Sequence, residues 1–275
     1  RSRRAFTKGW LAESLIWLGR FHEARETASE ASVLWESLVE RFPENGAYRV
    51  GLSSSLRRMG VLADDLETAI GLWDRSRRLL FQEADPKGHG GSAPLYDEYL
   101  VHHDHALVRI RSRDVDGYQR ACLAMDNRFK TSTRQNEIFF LAFTWGLSPA
   151  PLSEDAPPLR RIRAASIANP KQVSYLIPLG LLLYRAGRLE ESAATMARAN
   201  DRLAADRGYV TSPLYPRLIM AMTQLKLGRD AEARRWMDVA RATIRDDPIH
   251  RGNPVLRVTA GLLREEADTL IENHD

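Results

Sequence analysis

A seven-residue phrase recurs three times in this chain: LGRFHEA from Leu18, AGRLEES from Ala186 and LGRDAEA from Leu227. Each copy sets a glycine (Gly19, Gly187, Gly228) at the end of an apolar helical stretch, with acidic and small residues opening the next. Glycine ends helices readily because it takes the left-handed backbone conformation at little cost. Gly187 and Gly228 are 41 residues apart, and Gly60, in RRMGVLADD, follows Gly19 by the same 41, which marks it as a fourth turn. A period of this size is the signature of stacked helical hairpins, each hiding its apolar face only against its neighbours. The chain is therefore expected to be an all-α array that serves as a binding scaffold.

With 275 residues, two ordinary domains are possible, but the periodicity favours one continuous array. No apolar run approaches the roughly 18 residues of a membrane span. The best, Ile177 to Tyr184, is broken by Pro178 and Gly180. RSRRAFTKGW is basic but lacks the apolar core of a signal peptide, so a downstream piece of a longer, cytoplasmic protein is expected. Cys122 is the only cysteine, which excludes an internal disulfide and a multi-cysteine metal site. In GYQRACLAM it reads as a packing residue. The net charge of +4 comes from 40 basic and 36 acidic residues, often interleaved on one helix as in HEARETASE. That pattern describes solvated helix faces with pairs three or four apart, not a footprint for nucleic acid.

Six hairpins follow, at about 5–41, 46–82, 94–129, 135–169, 172–206 and 213–245. The first four form an N-terminal region, 1–169, and the last two a C-terminal pair within 170–275. In the first, Leu11, Leu15 and Leu18 form an apolar stripe, and Ala24, Ala28 and Ala31 give the second helix a small-residue face. In the second, Leu66, Ile70, Trp73 and Leu80 are the expected buried positions. EADPKGHGGSAP, Glu83 to Pro94, is a loop; SRD, Ser112 to Asp114, is a tight turn; the fourth hairpin is degenerate around SPAPLSEDAPP. A last helix, 254–272, carries Leu256, Leu263, Ala267 and Leu270 on one side, as a cap requires.

The turn phrases, with Leu-Gly or Leu-Ala on the preceding helix and Gly-x-x-x-Glu-Ala across the bend, resemble the tetratricopeptide repeat family. Its pattern falls on Gly19 and Ala24; on Gly180, Gly187 and Ala199, with Ser192 where alanine is usual; and on Ala221, Gly228, Ala233 and Ala240. The phrases ERFPENGAYRVGL and SRDVDGYQRACLAMDNRF, with the order of the closing turns, resemble the C-terminal repeat region of large multidomain bacterial proteins such as serine/threonine protein kinases. The resemblance implies a right-handed superhelix of antiparallel hairpins, an α-solenoid, that binds protein or peptide and carries no catalysis. The alternatives are a regulatory tail of an upstream kinase and a helical-repeat nucleic-acid binder. It further implies a partner groove lined by Ser174, Ile177, Leu181, Tyr184 and Arg185 from the fifth hairpin and by Tyr215, Leu218, Met222, Leu225 and Lys226 from the sixth. The closing helix is the alternative occupant of that face.

No catalytic residue, cofactor or metal is expected. The kinase glycine loop, His-Arg-Asp and Asp-Phe-Gly are missing, and KGHGGSAP lacks the Gly-Lys-Ser/Thr ending that holds phosphates. In HHDHA, His102 and His105 have the helical spacing to share a metal, but no ligand from another helix completes the set. The segment is expected to pack His105 beside Leu107 and turn the others to solvent.

Overall fold

The computed structural model describes residues 1–80, 98–205, 212–246 and 254–274. Among the described residues there are thirteen α-helices and no strand. The chain divides into two compact units, Arg1–Ala121 with Arg251–Val255 and Cys122–His250 with Leu256–Asp275. The expected loop at Glu83–Pro94 lies outside the described residues.

The first unit contains α1 (Ser2–Trp17), α2 (Phe21–Arg41), α3 (Gly46–Val61), α4 (Leu66–Leu80), α5 (Glu98–Arg111) and the start of α6 (Val115–Phe129). Its first hairpin closes on small residues: Ala12 and Leu15 of α1 pack with Ala24 and Ala28 of α2 and with Leu62. The expected leucine stripe of α1 is corrected here, because Leu11 and Leu18 are exposed and only Leu15 is buried. Ala5, Ala12 and Leu15 turn inward instead, at helical spacing. In α4 the inward residues are Ala69, Trp73 and Ser76, with Ile70 half-buried. Ser53 and Ser76 join α3 to α4 by exchanging bonds, each hydroxyl donating to the other's carbonyl at 3.0 and 2.9 Å.

Four hairpins share one turn. The N–H of Arg20 donates to Leu15 O and that of Gly19 to Ile16 O, and the same pair of bonds recurs at Arg188 and Gly187 and at Arg229 and Gly228. This is the Schellman arrangement, which satisfies the last carbonyls of a helix and needs a left-handed residue. Gly19, Gly187 and Gly228 supply it with φ of 72°, 72° and 70°. The fourth copy is at Arg113, where φ is 57° and Asp114 N–H reaches Arg109 O. Gly60 is not among them. It lies inside α3, which continues to Val61, so its 41-residue spacing from Gly19 does not mark a turn. Its role is to admit the indole of Trp73. The chain reverses after Leu62, and Asp65 accepts from Thr68 N–H at 2.8 Å to cap α4.

The second unit contains the end of α6, then α7 (Gln135–Gly146), α8 (Pro157–Ala168), α9 (Val173–Arg185), α10 (Leu189–Ala205), α11 (Leu214–Lys226), α12 (Asp230–Asp246) and, from Leu256 on, α13 (Pro254–Glu272). Every residue of α9 except Ser174 is buried, as is every residue of α11 except Arg217 and Lys226. A helix apolar all round belongs between others. One side of α9, with Tyr175, Leu179, Leu182 and Leu183, meets Ala142 of α7 and Leu159 and Ile162 of α8. Each leucine so enclosed contributes about 2 kcal/mol of transfer free energy. On another side, Met196 of α10 sits where a side chain on Gly180 would be. Ser192, in the place of the usual alanine, donates to Gly180 O at 2.8 Å. Ala24, Ala199, Ala221, Ala233 and Ala240 are all buried.

Candidate functional site

The ten residues assigned to a groove lie on α9 and α11. Ile177, Leu181, Tyr184, Arg185, Tyr215, Leu218, Met222 and Leu225 are buried, Ser174 is half-buried and Lys226 is exposed. Ser174 accepts from the amides of Gln135 on α7 and Gln172, at 3.0 and 3.1 Å.

Two of the polar members, Tyr184 and Arg185, meet at Glu266 of α13. Arg185 Nε donates to Gly146 O at the end of α7, at 2.9 Å. Its other two nitrogens form a two-point ion pair with Glu266, one contact being Nη2 to Oε2 at 2.6 Å. The Arg185 side chain is 2% exposed and that of Glu266 17%, so the pair is largely withdrawn from water. Two parallel bonds between guanidinium and carboxylate fix orientation as well as adding energy. The Tyr184 hydroxyl donates to Glu266 Oε1 at 3.4 Å. Burial, reinforced by the Glu266 charge, holds that hydroxyl well above the usual tyrosine range. Arg185 and Lys226 both stand over the Tyr184 ring, 5.1 and 5.2 Å from its centroid. Nearer the start of α11, the hydroxyls of Tyr215 and of Thr259 on α13 are 2.5 Å apart, and the ring of Phe143 meets that of Tyr215 edge-on.

Glu266 and Thr259 are thus parts of this face that were not singled out from sequence. The available signal was spacing: Thr259, Leu263 and Glu266 recur at four and three residues and share one side of a helix. Glu266 reads as a solvated charge until Arg185 is set opposite it.

The histidine segment of α5 is arranged differently from expectation. His102, His103 and Asp104 are buried and His105 is half-buried, so none of the first three faces solvent. Burial, with Arg57 nearby, lowers His103 to about 3. Burial, with Arg77, Arg109 and His102 adding to it and Asp74 opposing, lowers His105 to about 4. Arg109 Nε donates to His105 Nε2 at 3.2 Å, a bond that only the uncharged imidazole accepts there. Among the described residues no group of three or more histidine, cysteine or acidic side chains is placed to hold a metal ion. Cys122 is buried.

Two stretches of the second unit have relatives by sequence. Residues 173–198 cover α9 with the start of α10, and 214–238 cover α11 with the start of α12. Both match the tetratricopeptide repeat. The matches fall on the two helix pairs whose residues line the face described above. Among the described residues no helix is long and apolar enough to cross a membrane. No curated protein matches the chain. Among solved structures, the chain is similar to the crystal structure of yeast Tom70, with 13% identity and a TM-score of 0.36. The alignment covers 92% of this chain and 59% of that one, so the chain spans less than two thirds of that protein's length.

Proposed function

We propose that the chain is a noncatalytic scaffold for protein recognition, and that the α9–α11 face is where it receives a helical segment. One observation carries this reading: two tetratricopeptide-repeat pairs stand in sequence, and the face on their first helices holds a helix, α13, through a buried arginine and a tyrosine hydroxyl. A face of this make-up suits a peptide helix, since aromatic rings and a methionine give adaptable apolar contact and the cations select for acid.

Lys226 is exposed at the edge of the face, so it can be changed without opening the core. Partner proteins captured by the intact chain are identified by mass spectrometry and compared with those captured by Lys226→Glu. A common set lost on charge reversal is expected, with melting lowered by no more than the loss of the one cation–π contact to Tyr184 explains. An identical set in both places recognition elsewhere.

A further inference from the structure

Resting on that reading, we propose that α13 is a displaceable internal ligand of the α9–α11 face, and that the external partner is an amphipathic helix presenting a carboxylate to Arg185 and a hydroxyl to Tyr215. α13 buries mainly small side chains. Its described buried residues are Val258, Thr259, Ala260, Leu263 and Ala267, of which only Val258 and Leu263 exceed a methyl in apolar size. A side of α9 that packs within the array, by contrast, brings one tyrosine and three leucines against leucine and isoleucine. Leu262, Leu270 and Ile271 are half-buried, so the described residues of α13 enclose less apolar surface than those of α9, and apolar burial scales with area.

Polar contacts add specificity to that grip. They include the Glu266–Arg185 pair, the Tyr184 hydroxyl on Glu266, the Thr259–Tyr215 contact and an outer pair in which Arg241 donates to Asp268 at 3.0 Å. Arg185 makes the requirement specific. One edge of its guanidinium is satisfied by Gly146 O and the other by Glu266, and the side chain has almost no access to water. A buried cation stripped of its partner is strongly unfavourable, so whatever replaces α13 has to bring an acid of its own. An apolar or basic helix does not meet that condition; a helix with a hydroxyl residue, leucine four residues on and glutamate three beyond that does. Because α13 is tethered to the face it covers, its effective concentration there is of millimolar order, and a free helix of equal affinity is kept out until the tether's hold is loosened.

The probe is a fluorescein-labelled peptide of residues 254–274, followed by anisotropy against the intact chain and against chains altered at Glu266. The intact chain is expected to show no saturable binding at micromolar peptide. Glu266→Arg, which repels Arg185, is expected to raise amide exchange over 256–272 and bind the peptide about thirtyfold more tightly or better, the scale on which a buried charge partner matters. The isosteric Glu266→Gln should move both readouts in the same direction by a smaller factor, which covers the case in which Glu266→Arg fails to fold. Arg185→Glu combined with Glu266→Arg should recover part of the protection of 256–272, since the Gly146 carbonyl has then lost its donor. Unchanged exchange in both single variants, or release of α13 without peptide binding, overturns the proposal. Either result leaves the scaffold reading intact if partner capture still depends on Lys226, whereas peptide binding without any Lys226-dependent partner counts against that reading alone.

Discussion

The indole nitrogen of Trp73 occupies the space in which a Cβ on Gly60 would stand. Trp73 is buried and its N–H donates to Arg57 O at 3.3 Å, so the ring has little freedom to swing aside. At an exposed helix position, exchanging glycine for alanine stabilises by about 1 kcal/mol. Here the steric term wins. Gly60→Ala is expected to destabilise the protein by about 1–3 kcal/mol, the usual cost of overpacking. Urea unfolding of the variant checks this, and a raised midpoint would show that α4 moves away without penalty.

The same pair shows why the fold was only partly legible in the sequence. A glycine after an apolar stretch reads as a turn, and at Gly19, Gly187 and Gly228 the positive φ agrees. Gly60 carries the same local signal for another reason, close approach of Trp73 from the next helix, thirteen residues on, which no residue near it announces. Arg113 is the converse, a left-handed residue whose type hides the turn. At the candidate face the chemistry of Tyr184, Arg185 and Tyr215 could be read off, and the closing helix could be named as one cover, but the residues it uses could not, because Glu266 and Thr259 have the composition of a solvated helix side. Histidines beside an aspartate likewise read as surface, and their burial depends on helices distant in sequence.

Arg113 holds φ at 57° and its side chain is exposed. A left-handed residue with a Cβ costs roughly 1–2 kcal/mol, most of which glycine avoids. Arg113→Gly is therefore expected to stabilise by about 1 kcal/mol, less the added freedom glycine gives the unfolded chain. Gly187→Ala, at the equivalent place in another hairpin, should lose about the same amount. Thermal melting of both variants tests the equivalence. It fails if the two shifts share a sign.

His103 sets a pH dependence whose direction follows from its lowered value. The folded form resists protonation down to about 3, whereas an unfolded histidine takes a proton near 6.5. Between those limits the unfolded state binds more protons, so the stability present above pH 6.5 is lost as pH falls, by up to about 1.4 kcal/mol per unit. His105, lowered to about 4, acts in the same direction. Urea midpoints measured from pH 7.5 down to 5 should decline, and His103→Gln should flatten the decline. An equal slope in the variant would assign the effect to other groups.

Ser192 and Ala233 occupy the same place in successive hairpins, 41 residues apart. The Ser192 hydroxyl donates to Gly180 O, and the residue 41 beyond Gly180 is Ala221, so a hydroxyl at 233 has an equivalent carbonyl within reach. Ser192 also lies 3.2 Å from Thr223 Oγ1, whose own hydroxyl donates to Ile219 O. Gly180 O belongs to a helix and does not depend on Ser192 alone, so Ser192→Ala should cost no more than about 1 kcal/mol. Ala233→Ser should be tolerated to a similar degree, because the added oxygen finds its acceptor. Ala233→Val has no such outlet: the position is fully buried, and the larger side chain should cost about 1–3 kcal/mol. Denaturant unfolding of the three variants reads the order directly. If Ala233→Ser is as damaging as Ala233→Val, the two hairpins do not share the register that their turns and their sequence match indicate.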